Sequence, residues 1–341
     1  MSNPDIVDAI QQEILQQAQG GMRLQLAYVG IVDGLFEALA GEPRTFTSLA
    51  SAANVDAGYV ERWCDAAYAF GLLDADGDHF SLTELGDRFR PSAPGTLMPM
   101  AVQTVLGAHM AERAAGLMPS GERPGEKVLG ERETVLPWFG PMLEKAFGAL
   151  FESQIVGAVP AYAAVDAKGG VAVDLGCGNG WYLRALAKRF TKLRGVGLDM
   201  IDENIQQASA RAAEQGVGDR LEFRRGDLHA FAVDEPVDLI AMNRALHHVW
   251  TEKDNVFRIL REHLAPGGVA VLWEPRWPDQ RDTLRELRAR GMAFQNLAEH
   301  VQGNHFLRPA EIREGLEAAG FDVDVHLFAD GHEAVVVGTK R

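Results

Sequence analysis

Two kinds of residue in this chain have the types and spacing to do chemistry: carboxylates that close short apolar runs, and one pair of adjacent histidines. The first carboxylate opens Asp174-Leu-Gly176-Cys-Gly178-Asn-Gly180, directly after an apolar strand and directly before a helix. Glycines there let the backbone turn tightly and approach a ligand where a Cβ would clash. The dinucleotide fingerprint GxGxxG would need glycine at 181, where Trp181 stands, and glycine falls at 180 instead. The loop has no lysine, which excludes a Walker loop and suits a cofactor without phosphates. Asp174 can orient the loop or meet an ammonium group. One strand later, Asp199 can accept both hydroxyls of a ribose through its paired oxygens. In Arg225-Gly226-Asp227-Leu228 the carboxylate can receive an adenine amino group, and Met200 and Leu228 either sandwich the adenine or finish the core.

Ligands of parallel sheets bind beyond the carboxyl ends of the strands, so the segment after the fourth strand should face the reacting group. It reads Asn243-Arg-Ala-Leu-His247-His248-Val-Trp250. Adjacent histidines can supply a general base or metal ligands, and either can instead cap or pack beside the cofactor. His300 and His305, in Glu299-His300-Val-Gln-Gly-Asn-His305-Phe-Leu-Arg-Pro, read as further ligands or as loop histidines on a lid.

The elements that must position these groups follow from periodicity. From residue 171 on, strands and helices alternate: Val171–Leu175, Gly195–Leu198, Leu221–Arg225, Val237–Met242 and Val269–Trp273 as strands, with helices at Trp181–Phe190, Asp202–Gln215 and Lys253–Leu264. That succession predicts a parallel sheet flanked by helices, and Phe321–Phe328 and Glu333–Thr339 an antiparallel hairpin at its edge. The first half is helical, with apolar spacing over Ile6–Ala18 and Leu24–Ala40. A short helix, a turn at Asn54, a second helix over Ala57–Phe70 and a hairpin with Asp76-Gly77 at its tip then form a winged helix-turn-helix pattern. Its second helix offers Asp56, Glu61 and Asp65 against only Arg62, so a protein-contact module is favoured over a DNA reader. The expected organisation is residues 1–95 as the winged-helix unit, 96–165 as a helical connector covering the substrate, and 166–341 as the cofactor domain.

Composition narrows the partners. A net charge of −15 disfavours nucleic acid and anionic membranes. No apolar run approaches the roughly 20 residues of a membrane span. The stretch Met1–Ile6 lacks the basic-then-apolar pattern of a secretory signal, and Cys64 and Cys177 form no CxxC motif. A cytoplasmic protein without disulfides is expected.

Taken together, the glycine loop, Asp199, Asp227, Asn243 and Ala265-Pro-Gly-Gly268 resemble the class I S-adenosylmethionine (SAM)-dependent methyltransferases over residues 165–341. The resemblance implies an α/β, Rossmann-like class I methyltransferase sheet with an N-terminal all-helical winged-helix dimerisation domain, and a cofactor site of Asp174, Gly176, Gly178, Asp199, Met200, Asp227, Leu228 and Asn243. A winged helix preceded by long apolar helices is similar to the dimerisation domain of small-molecule O-methyltransferases, which implies a homodimer. In plant-type O-methyltransferases a His-Asp-Trp sequence at the 247 position carries the histidine that deprotonates a phenol; here His248 replaces the aspartate and Val249 is inserted before Trp250. A narrower resemblance is to metal-dependent 2-oxo acid C-methyltransferases. There His247-His248 matches a His-Asp pair, His300 stands seven residues before Leu307, and Glu112-Arg113 to Glu122-Arg123-Pro-Gly matches the substrate-covering region. It implies iron or zinc on His247, His248 and His300, Arg132 holding the acceptor's carboxylate, and methylation of the third carbon through a metal-stabilised enolate. This is the leading expectation. The alternatives are O-methylation with His247 or His248 as general base, and a SAM-responsive DNA-binding regulator.

Overall fold

The structure, a computed structural model, describes residues 4–341. The expectation for Met1, Ser2 and Asn3 lies outside the described residues. The chain divides into two compact units, Met1–His109 with Thr134–Lys145, and Met110–Glu133 with Ala146–Arg341.

In the first unit one uninterrupted helix spans Pro4–Val32, where the sequence predicts two. Gly20 and Gly21, each costing about 1 kcal/mol in a helix interior, do not break it. The chain turns instead at Gly34, whose φ of 69° is left-handed, and resumes as the short helix Leu35–Ala38. Helices Phe46–Ala53 and Ala57–Ala69 start at Thr45 and Asp56, whose side chains accept from the backbone N–H groups of Ser48 and Tyr59. Strands β1 (Arg44–Thr45), β2 (Leu73–Asp76) and β3 (His79–Leu82) pair antiparallel in the order β1-β3-β2. Phe36 anchors this core, edge-on to Trp63 at 5.4 Å and stacked on Phe89 at 6.1 Å.

The second unit is built on a seven-stranded sheet: β4 (Val171–Leu175), β5 (Arg194–Asp199), β6 (Leu221–Arg225), β7 (Val237–Asn243), β8 (Leu264–Pro275), β9 (Phe321–Phe328) and β10 (Glu333–Lys340). Its order is β6-β5-β4-β7-β8-β10-β9. β4 to β8 run parallel, and β10 lies antiparallel between β8 and β9. Ala265–Gly268, expected before the fifth parallel strand, is absorbed into β8 as an irregularity where the ladder to β7 shifts register. The near-continuous apolar strands are explained by burial on both faces. Leu239, Ala241, Val271 and Trp273 enter one core, while Ile240, Met242, Ala270 and Leu272 enter the other. Strand order reverses between β4 and β7, so their carboxyl ends form the crevice where such sheets take ligands.

Phe151 opens a π-helical turn, Phe151–Ile155, and is buried against four aromatic rings, with centroids 5.0 Å from Tyr182, 5.9 Å from Tyr162, 6.0 Å from Trp181 and 6.2 Å from Trp273. Phe151→Ala is expected to destabilise this unit by about 3–5 kcal/mol, from lost transfer energy and the cavity left behind. Denaturant unfolding followed by tryptophan fluorescence measures it, and a loss under about 1 kcal/mol would mean the cluster closes over the gap.

Candidate active site

The glycine loop is pinned at its base. Gly176 and Cys177 both donate their N–H groups to the Leu198 carbonyl at the end of β5, at 2.8 and 2.9 Å. Gly180 has a φ of 72° and begins helix Trp181–Arg189; a Cβ there would sit 2.5 Å from the Phe223 ring. Asp199 holds the turn from the other side. Its Oδ2 accepts from Gly178 N–H at 2.9 Å, and its Oδ1 from Ile201 N–H at 3.0 Å and the Asn204 amide at 3.1 Å. A carboxylate has roughly four lone-pair sites, so three are engaged by the protein and Oδ2 retains one. Asp227 accepts from the N–H of His229 and caps the short turn Leu228–Ala230. Met200 is exposed, whereas Leu228 packs on the sheet core.

Across the crevice, Asp174 is buried and its Oδ1 accepts from the Asn243 amide at 2.8 Å, tying the ends of β4 and β7 together. Burial pushes the Asp174 carboxyl up to about 8, against the Asn243 hydrogen bond and with help from the Asp199 charge. The Asn243 Oδ1 is buried with no hydrogen-bond partner among the described residues. That oxygen is an acceptor with no donor.

Beyond β7 the backbone turns through Arg244, a non-glycine residue at φ 56°. Its N–H donates to the Trp273 carbonyl at 2.7 Å, and its guanidinium donates to Glu333 at 2.8 Å while lying 4.1 Å from the centre of the Phe147 ring. Glu274, at the end of β8, then takes the loop with both oxygens: Oε1 accepts from Leu246 N–H at 2.7 Å, and Oε2 lies 2.5 Å from His247 Nδ1. Burial alone would raise the Glu274 carboxyl, but His247, Arg244 and His248 outweigh it and hold it below the usual range. With Nδ1 so fixed, His247 presents Nε2, which lies 3.8 Å from Glu299 Oε2. The two imidazoles are 4.1 Å apart. His248 Nδ1 is 3.0 Å from Glu126 Oε1 and 2.8 Å from the Asn304 amide nitrogen. One ring nitrogen cannot serve both: protonated it donates to Glu126, neutral it accepts from Asn304. Burial works against protonating His248, yet Glu126, Glu299 and Glu274 together raise it.

Two expected site residues are placed elsewhere. His300 does not join the histidine pair; it lies in helix Leu287–Gln302, not on a loop, and its Nε2 accepts from Arg123 at 3.1 Å. Successive helical residues differ by about 100°, so the face that meets the pair carries Glu299. The set able to hold a cation is His247, His248 and Glu299, with ligand atoms all within 4.8 Å of one another. Arg132 lies 3.6 Å from the Glu112 carboxylate, so its charge is already engaged. His305 is exposed. Sequence reasoning missed Glu126, Glu274, Glu299 and Asn304. Glu274 was findable, because it closes an apolar strand as Asp174 and Asp199 do.

A methyltransferase-domain family model matches residues 172–268, from β4 into β8. Over those residues the chain is similar to methyltransferase domains. A trans-aconitate 2-methyltransferase of Streptomyces avermitilis is 33% identical over 156 residues, 45% of this chain and 57% of that protein. The chain spans about half the length of the curated relatives it matches. Among solved structures, an O-methyltransferase family protein from Burkholderia thailandensis superposes with a TM-score of 0.72 at 17% identity, covering 100% of this chain and 98% of that one. Human N-acetylserotonin methyltransferase, solved with SAM, gives 0.71 at 18% identity over 97% of each chain. The likeness therefore extends beyond the methyltransferase domain to the fold of the whole chain.

The raised Asp174 carboxyl has a measurable consequence. The folded protein keeps a proton that the unfolded chain releases near pH 3.8, so this group's contribution to stability is lost as pH rises toward about 8. Without cofactor, Asp174→Asn is expected to flatten the fall in Tm across that window. Parallel Tm–pH profiles for the two proteins would show that Asp174 is not the group responsible.

Proposed function

We propose that the protein transfers a methyl group from SAM to a hydroxyl of a small molecule, with His247 as general base. Support on the cofactor side is the buried Asp174–Asn243 pair, whose unpartnered Asn243 oxygen fits a donor such as an ammonium group, beside Asp199 and Asp227 at the neighbouring strand ends. Asp199 has one lone-pair site left, so it would take one ribose hydroxyl rather than two. Asp227 would receive the adenine amino group, Met200 and Leu228 flanking the ring, while Gly176 and Gly178 let the backbone approach. When bound, SAM supplies an electrophilic methyl on a sulfonium, which leaves with the carbon–sulfur electron pair as the acceptor oxygen bonds to the methyl.

The observation that carries the acceptor chemistry is the buried His247–Glu274 contact. Glu274 fixes the tautomer with the proton on Nδ1, leaves Nε2 free to take the hydroxyl proton, and stabilises the imidazolium that forms. His247→Ala is expected to lower kcat by about 10²–10⁴ while SAM affinity by calorimetry stays within about twofold. Unchanged kcat on a hydroxylated acceptor would remove His247 from the chemistry.

A second chemistry is open to the same side chains. His247, His248 and Glu299 fit a divalent iron or zinc, with Glu274 behind the His247 ring in the manner of a supporting carboxylate. Such an ion would supply a Lewis acid for enolising a 2-oxo acid. This alternative no longer has His300 as third ligand or Arg132 as carboxylate clamp. The two chemistries separate on one measurement: O-methylation persists in chelator, whereas metal-assisted C-methylation stops and the purified protein contains stoichiometric metal.

The first unit is read as a dimerisation module. On the long helix, Val7, Ile10, Ile14, Leu15, Met22 and Val29 are exposed, and at 100° per residue they fall within an arc of about 140°. A second copy of the chain is the occupant proposed for that stripe. DNA is a poor fit, because Arg62 is engaged by Glu61 and the Gly58 carbonyl. No described helix is long and apolar enough to cross a membrane, and the buried free thiols of Cys64 and Cys177 fit a reducing cytoplasm. Light scattering is expected to give twice the 37.2 kDa chain mass, falling to one chain in an Ile14→Glu, Met22→Glu variant. A monomeric wild type would refute the module's role.

A further inference from the structure

The groups around His247 Nε2 say what the acceptor carries beside the hydroxyl that reacts. Three carboxylates surround the histidine pair: Glu274 gives both oxygens to Leu246 and His247, and Glu126 meets His248 through one oxygen from the exposed rim. Glu299 is different. It is mostly buried, its Oε2 receives the Gln302 amide at 3.2 Å and the Asn304 amide at 3.4 Å, and it faces Nε2 at 3.8 Å. That separation is beyond hydrogen-bonding reach, so Glu299 does not capture the base. It stands where a substituent next to the reacting hydroxyl would arrive.

Of the arginines on these segments, Arg132 is 3.6 Å from Glu112 and Arg244 2.8 Å from Glu333, whereas Arg113, 3.4 Å from Glu131, has a buried Nε without a hydrogen-bond partner and Arg123 gives its Nε only to the imidazole of His300. Lys127 is exposed to solvent. A carboxylate placed against Glu299 would meet a like charge directly, and like charges in contact disfavour binding. A hydrogen-bond donor would meet a desolvated acceptor and gain a charge-assisted hydrogen bond.

Building on the assignment of His247 as base, we infer that the acceptor presents a second donor, an O–H or N–H, on the atom adjacent to the methylated hydroxyl's carbon, and that Glu299 receives it. Glu299 is then a specificity-determining residue. It selects vicinal diols and ortho-amino phenols over phenols with an adjacent ether or carboxylate.

Binding and turnover test this separately. Protein loaded with S-adenosylhomocysteine is titrated in chelator with catechol, 2-aminophenol, 2-methoxyphenol and 2-hydroxybenzoate. Catechol and 2-aminophenol should bind at least about tenfold more tightly than the other two. Glu299→Gln should erase that preference, weakening the first two by about tenfold, strengthening 2-hydroxybenzoate, and leaving S-adenosylhomocysteine affinity unchanged. An unaltered ranking in Glu299→Gln, tightest binding by 2-hydroxybenzoate, or binding of none of the four overturns the inference. Turnover of catechol by His247→Ala reports on the base alone. If His247→Ala matches wild type while the binding preference holds, the base assignment fails and the selection by Glu299 stands.

Discussion

The acceptor side of the crevice hangs on one buried carboxylate. Glu274 uses one oxygen to hold the backbone at Leu246 and the other to hold the ring of His247, so it fixes both where the loop runs and which imidazole nitrogen points outward. Leaving such a carboxylate buried and unpaired would cost several kcal/mol, and here both oxygens are engaged and Arg244 lends a positive charge. Glu274 stands on β8, and its neighbour Trp273 receives the Arg244 N–H and donates its indole N–H to Glu333 of β10. In the β8–β10 ladder Ala334 lies opposite Glu274 and Glu333 opposite Pro275. A slip of one residue would turn Glu274 to the other face of the sheet. The geometry around His247 is thus inherited from strand register, and register from the alternation of two apolar cores.

The cofactor side follows a different logic. There the protein satisfies most of what it presents: Asp199 spends three lone pairs on its own loop, and Asp227 caps its own turn. The exception is the junction of β4 and β7, where burial raises the Asp174 carboxyl and Asn243 keeps an unpaired carbonyl. A site that is rigid in its loop and unsatisfied at one acceptor suits a ligand that brings a donor there.

The parallel sheet was legible because both faces of β4, β7 and the second half of β8 are buried, which writes short apolar runs, and because a polar residue closes each run. Observed strand limits differ from expectation mainly at Leu264–Gly268, where a turn-forming sequence is drawn into β8 by pairing with β7. The long first helix runs through Gly20 and Gly21, which lie between the two expected helices, because helix neighbours on either side propagate through them. The sequence points to His300 rather than Glu299 because the resemblance to the 2-oxo acid enzymes implies a histidine seven residues before Leu307. In a helix, a shift of one position changes which side chain meets the pair. Glu126 left no local signal, since its partner His248 is over a hundred residues away.

Arg244 occupies a position with almost no alternatives. Its left-handed backbone favours glycine, with asparagine or aspartate next, by about 1–2 kcal/mol over other residues, but none of these could supply the guanidinium that Glu333 and the Phe147 ring receive. Losing the guanidinium would leave buried Glu333 with the Trp273 indole N–H and no charge partner, and keeping the charge keeps the strain. Evolution toward a new acceptor therefore has little to work with in the loop itself. Diversification should collect in helix Leu287–Gln302 and segment 123–132, which meet the histidines without carrying the sheet, and it is there that a family tree of acceptor preferences would be written.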